Sequence, residues 1–212
     1  VLGVGGRIAP HWQEAPPRWF PAEFNWVVGC DYLGLPTATA AIRNMVGANM
    51  SFRREVFAAV GGFRPGMGRL GTIPLGCEET ELCIRVHQRF PLATLLYEPR
   101  ARVRHLVTPN RTRARYFFSR CWAEGRSKAI VTQLAGAGDG LASERTYTLS
   151  VLPRGVLRGL RDALLRRDPA GVGRAGAIVA GLGVTTAGYL TGLIASRRRA
   201  VPIGRLEWKQ QP

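Results

Sequence analysis

The chain has 212 residues, 46% of them hydrophobic and 21% charged, and a formal net charge of +16 at pH 7. That length and apolar content suit one full domain, or one domain with an appendage, and exclude a chain too polar to bury a core. The charge favours anionic partners and is uneven: residues 1–100 carry 10 Lys+Arg against 8 Asp+Glu, residues 101–212 carry 20 against 6. Lys128 and Lys209 are the only lysines, and such arginine-rich, Ala/Gly-rich composition also fits a GC-rich coding sequence. With dispersed arginines and no recognised nucleic-acid module, no nucleic-acid partner is expected. Cys30, Cys77, Cys83 and Cys121 show no CxxC or zinc spacing and read as reduced, buried thiols, which suits a cytoplasmic setting, as does the lack of a secretory signal.

Residues 1–8 read as a buried strand with no polar lead-in, so the chain is expected to begin inside a fold, as a fragment of a longer protein. Residues 9–24, rich in Pro and Trp, predict an irregular surface loop. The apolar run 25–33, Asn25 to Leu33, predicts a strand, and residues 47–52 another strand edge. Ser51 is placed to cap a helix over Arg53–Val60, ended by Gly61-Gly62. The Gly-rich loop from Gly61 to Gly76 is expected to lie over a site. A helix over 78–89 follows, then strands at 93–97 and 101–107, an amphipathic helix over 111–134, and a linker over 135–150.

The C-terminal part has a different character. Residues 151–168 interleave leucines and valines with Arg154, Arg158, Arg161, Arg166 and Arg167, the pattern of a basic amphipathic helix on an anionic membrane surface. Residues 175–195 are uncharged and long enough for a membrane span. Ten of those 21 are Gly or Ala, which leaves a soluble packing helix open as the alternative to membrane association, and Gly188 and Gly192 form a GxxxG spacing suited to close helix contact. Residues 200–212 are read as a tail.

The run Gly76-Cys77-Glu78-Glu79-Thr80-Glu81-Leu82-Cys83-Ile84-Arg85 carries the chemistry. Acidic residues in a first helical turn are favoured by the helix dipole, by roughly 0.3–1 kcal/mol each. The same carboxylates are candidate general bases. His105, at the end of a strand, is a candidate metal or phosphate contact, or a structural histidine. Arg120 and Arg126 are candidate phosphate contacts or part of a solvated helix face, and Trp26 a sugar-stacking surface or a core side chain.

Several segments, in order, resemble the C-terminal half of a bacterial family 2 glycosyltransferase with the GT-A fold. They are Gly5-Gly6 with Pro10 and Trp12; Trp26-Val27-Val28-Gly29-Cys30; Arg43-Asn44 through Asn49 to Arg54; Gly61-Gly62-Phe63; Glu78-Glu79 with Leu82 and Arg85; and Tyr97-Glu98-Pro99 with Val103 and His105. The resemblance covers about residues 1–134. It implies an α/β fold, a partial GT-A domain lacking its nucleotide-binding half and followed by C-terminal helices. It implies inverting transfer of a sugar from a nucleotide-diphospho-sugar to a hydroxyl of a glycan, lipid-linked or small-molecule acceptor. Glu79 would be the base and Glu78 its partner, with Trp26, Asn49, Gly62 and Arg120 binding substrate. His105 would be a ligand to a divalent cation (Mn or Mg). Glutamate at 79 departs from the family's usual aspartate, and the DxD ligands are absent from the chain, so the fragment alone is expected to be inactive. The alternative is a non-catalytic, membrane-associated remnant. Either way the protein is expected in the cytoplasm, at the cytoplasmic face of a membrane, with an anionic lipid surface as a partner.

Overall fold

In this computed structural model, residues 1–69, 74–136 and 145–198 are described. The expected linker (135–150) and the Gly61–Gly76 loop fall partly outside them, and the expected tail wholly so. The architecture is mixed α/β, consistent with part of a GT-A-like fold. Strands β1 (Gly3–Trp12), β2 (Ala40–Ile42), β3 (Met50–Phe52) and β4 (Leu95–Val107) form one sheet in the order β2-β4-β1-β3. β1 and β4 run parallel at its centre, and β3 and β2 pair antiparallel on the edges. The two strands expected over 93–107 are a single strand. Pro99 interrupts the pattern because the β1–β4 register jumps there, from Gly6 opposite Glu98 to Arg7 opposite Arg102.

The Asn25–Leu33 run is not a strand. Residues Ala22–Val28 form a 3-10 helix, closed by Gly29 at φ 81°. Phe24, Val27 and Val28 are buried at helical spacing, one face turned to the core. The Pro- and Trp-rich stretch is not a surface loop either. Its first residues extend β1, and Phe20 is buried against Phe117, their rings 5.6 Å apart; Trp19 meets the same ring at 5.5 Å. Prolines set the path, but the large aromatic area decides where the segment goes.

Helix α1 (Arg54–Val60) has Arg53 at its cap position without a side-chain cap bond, and Ser51 donates instead to the Val4 carbonyl. Helix α2 (Glu78–Arg89) matches its expected span, and α3 (Ala114–Ala135) begins after a 3-10 turn at Pro109–Thr112. Helix α4 (Leu152–Leu165) packs against α5 (Ala170–Arg198), and α5 lies along α3. Leu152, Ala177 and Ile178 share one buried cluster with Ile8, Phe24 and Phe117, so the C-terminal helices complete the core that the sheet begins. At the α3–α5 contact a Cβ on Gly125 would lie 2.0 Å from the Thr185 carbonyl oxygen, and one on Gly188 2.4 Å from that of Trp122. Only glycine permits that approach, and the GxxxG spacing serves it.

All four cysteines are free and buried. Burial pushes the Cys30 and Cys121 thiols up to about 12, so they pack rather than react.

Candidate active site

The first turn of α2 gathers three carboxylates with three fates. Glu81, 2% exposed, is held by the Arg85 guanidinium at 2.8 Å and by Arg64 at 3.0 Å. Arg85 also donates to the carbonyls of Val60 and Gly62, so it pins the Gly61-Gly62 turn to α2. Glu81 is therefore a structural anchor, and Arg85 pairs with it rather than with Glu78. Glu78 lies under the glycine loop: a Cβ on Gly68, at φ 80°, would come within 2.9 Å of its carboxyl carbon. Its Oε2 is buried without a hydrogen-bond partner among the described residues.

Glu79 turns the other way, onto a cavity of about 240 Å³. Part of its surface stays open to that space, yet the surroundings are dense enough to push its carboxyl up to about 7. Burial is the main cause, and the neighbouring Glu78 charge adds to it.

Cys77 sets this geometry. It takes a left-handed conformation at φ 68°, an uncommon one for a residue with a side chain, and its thiol donates to Glu124 of α3 at 3.2 Å. The Gly76 amide donates to the Ser127 hydroxyl, so α2 starts where α3 holds it. On α3, Arg120, Glu124 and Lys128 follow at i,i+4 spacing, with ion pairs of 3.6 and 3.7 Å, and all three line the cavity. Arg120 also donates to the Pro74 carbonyl. The rest of the lining includes the apolar and aromatic side chains of Phe24, Trp26, Tyr32, Tyr147, Leu152 and Leu182. Trp26 donates from its indole nitrogen to the Tyr147 hydroxyl, which donates to the Glu23 carbonyl.

Of the residues singled out from sequence, Glu79, Trp26 and Arg120 meet in this cavity, and Glu78 sits beside it. Asn49, Gly62 and His105 are not among its lining. The Asn49 amide donates to the carbonyls of Arg7 and Ala101, where it closes the β1–β4 register jump. Gly62 gives its carbonyl to Arg85. His105 faces Gly29, and its Nε2 accepts from Arg111 at 3.0 Å; burial and that guanidinium lower its pKa. Among the described residues no three His, Cys, Asp or Glu side chains converge as a metal site. Sequence reasoning missed Glu124 and Lys128, although their i,i+4 spacing from Arg120 was readable. It also missed Tyr147, which lies in the stretch assigned as a linker. Asp31, which is not among the lining, accepts from the Tyr97 hydroxyl at 2.5 Å while its Oδ1 is buried without a partner among the described residues.

No family model matches the chain, and no solved structure matches it. The chain is similar to a curated protein, the glucosyl-dolichyl phosphate glucuronosyltransferase of the archaeon Haloferax volcanii, with 35% identity over 134 residues. The match covers 63% of this chain and 42% of that protein, so the chain spans less than half of that relative's length. The relative is a glycosyltransferase, as the sequence resemblance implies, but an archaeal one, so the bacterial branch gains no support from it.

Proposed function

We propose that this chain is the acceptor-side, base-bearing part of an inverting family 2 glycosyltransferase. The observation that carries the reading is Glu79: a carboxyl at a helix start, facing a cavity, with its pKa raised to about 7. A group that titrates near the working pH can both hold and release a proton, which general-base chemistry needs. Glu79 would take the acceptor hydroxyl proton as that oxygen attacks the anomeric carbon. The nucleotide diphosphate leaves with its bonding pair from the opposite face, so the configuration inverts. Glu78, beneath the glycine loop, would raise the basicity of Glu79 by charge repulsion.

The acceptor fits a lipid-linked class best. The lining combines the cations Arg120 and Lys128, which would meet a phosphate, with aromatic and aliphatic side chains, which would meet an isoprenoid chain. The name of the similar protein points the same way. The nucleotide-diphospho-sugar would be bound mainly by sequence outside these 212 residues, since the chain holds no DxD. Any divalent cation (Mn or Mg) would be held there too, with His105 as a candidate ligand from this chain. The proposed location is the cytoplasmic face of a membrane.

The test is transfer of radiolabelled sugar from a panel of nucleotide-diphospho-sugars to prenyl-phosphate-linked and soluble acceptors, using the polypeptide that contains this chain. Expected are transfer to the prenyl-linked acceptor and a rate that rises with pH through about 7 and then levels, because the base must be ionised. Preference for soluble acceptors would overturn the acceptor class, and a pH profile flat across that window would overturn Glu79 as base. A remnant without catalysis would show no transfer at all. Isothermal titration of the 212-residue chain with the same donors is expected to give no saturable binding.

A further inference from the structure

Helix α4 is built inside out. Its buried face holds Leu152, Gly155, Gly159 and Asp162, mostly small or polar. Gly159 lies against the Gly171 backbone of α5, and Asp162 is paired there with Arg174 at 3.2 Å. The large apolar side chains point away from the core: Leu157, Leu160 and Leu164 are 66%, 42% and 79% exposed, and they recur at i, i+3, i+7 on the side opposite the glycines. Leu165, 77% exposed, borders that stripe.

Exposed arginines stand beside it. Arg154, Arg161 and Arg167 make no ion pair among the described residues, whereas Arg158 is engaged by Glu23 and Arg166 by Asp162. A leucine stripe edged by unpaired arginines has its complement in a surface that is apolar inside and anionic at its rim, which is the headgroup boundary of an acidic bilayer. A protein partner would have to supply both features; a lipid leaflet has them everywhere.

We propose that α4 seats this protein on an anionic lipid bilayer, lying in the plane of the surface with Leu157, Leu160 and Leu164 in the acyl boundary and Arg154, Arg161 and Arg167 at the headgroups. The neighbouring α5 is long and apolar enough to cross a membrane by length and composition. Yet α5 is clamped to α3 through Gly125 and Gly188, and α3 carries Arg115, Arg120, Glu124, Arg126 and Lys128. A spanning α5 would draw those charges towards hydrocarbon, whereas in-plane seating of α4 leaves both helices packed as they are. The inference rests on this exposed face and not on sugar transfer, so the two readings stand or fall separately.

Flotation of the full chain with phosphatidylcholine vesicles, with and without phosphatidylserine, tests it. Binding is expected only to the phosphatidylserine vesicles and is expected to weaken as salt rises. Leu157→Gln, Leu160→Gln and Leu164→Gln together should reduce partitioning by roughly tenfold or more per leucine, with an unchanged circular dichroism melt. Arg154→Gln, Arg161→Gln and Arg167→Gln should each reduce it by about fivefold and flatten the salt dependence. Equal binding to both vesicle types, or full binding by the triple leucine variant, overturns the proposal. A lipid-free dimer that the leucine variant dissociates, seen by sedimentation velocity, overturns it in favour of a second copy of the chain.

Discussion

The start of α2 and the whole of α4 depart from ordinary side-chain sorting in opposite directions. Around α2 carboxylates are drawn inside: Glu81 is 2% exposed and Glu78 leaves a buried oxygen unpartnered among the described residues. Along α4 leucines are sent outside while glycines and an aspartate go in. The buried carboxylates cost stability wherever they are not fully paired, and the proton-transfer role proposed for Glu79 would give that cost a use. The exposed leucines cost the fold almost nothing, since nothing in the core depends on them, and their use must lie in what they meet. Substitution should therefore separate stability from function at both places, with contrary patterns.

The sharpest break is at Glu79. Glu79→Gln keeps the shape and removes the proposed base, so sugar transfer by the polypeptide that contains this chain should fall by roughly 10²- to 10⁴-fold. Urea unfolding should show the variant at least as stable as the parent at neutral pH. A large loss of stability with little loss of rate would place Glu79 with the structural carboxylates. Next comes Arg85→Ala, which strips the buried Glu81 of its two-pronged partner. A loss of about 3–5 kcal/mol in urea unfolding is expected, from a residue that does not reach the cavity lining.

The pH dependence of stability is a third and slightly smaller effect. The fold raises the Glu79 pKa from 4.5 to about 7, so it favours the protonated form. That contribution is whole below the unfolded value, about 4.5, and is lost as pH rises through about 7. The loss should be on the order of 3 kcal/mol. Glu79→Gln should flatten the slope between those limits, and an identical slope in both proteins would remove the assigned cause. The smallest effect is Leu157→Gln on α4, which should move the unfolding free energy by no more than about 0.5 kcal/mol. A larger loss would mean that the leucine stripe is covered by the chain itself.

How far the sequence was readable follows the same divide between local and distant causes. The acidic run places the start of α2 because dipole and periodicity both act within one turn. The Gly61-Gly62 turn is legible for the same reason, whereas Glu79 stands out as a base only through the family resemblance, because the acidic run by itself reads first as a helix start. The Trp26-Val27-Val28 run was misread because its β-branched residues favour strands locally, while Phe24, Val27 and Val28 turn as a helix to reach Phe117 and Ile178. Trp19 and Phe20 were lost to the surface by their prolines, although their rings needed the same distant core. Tyr147 could not be placed from a linker-like neighbourhood, since it joins Trp26 across 121 positions of chain. Asn49 was assigned to substrate on the strength of its motif; here its amide is taken up by two carbonyls of a broken ladder.

The glycine contact between α3 and α5 has a consequence for anyone who would trim this protein. Gly125 touches α5 backbone, Glu124 is its neighbour in the chain, and Glu124 receives the thiol of Cys77, which opens the helix bearing Glu79. That chain of contacts has no flexible side chain at the helix crossing to absorb a shift. Cutting the chain before α4 would strip a wall from the cavity, uncover Phe117 and free α3 to move, and the acidic turn would move with it. The C-terminal helices thus act as the bench on which Glu79, the proposed base, is aligned, and a shortened protein would report on its own collapse rather than on their absence.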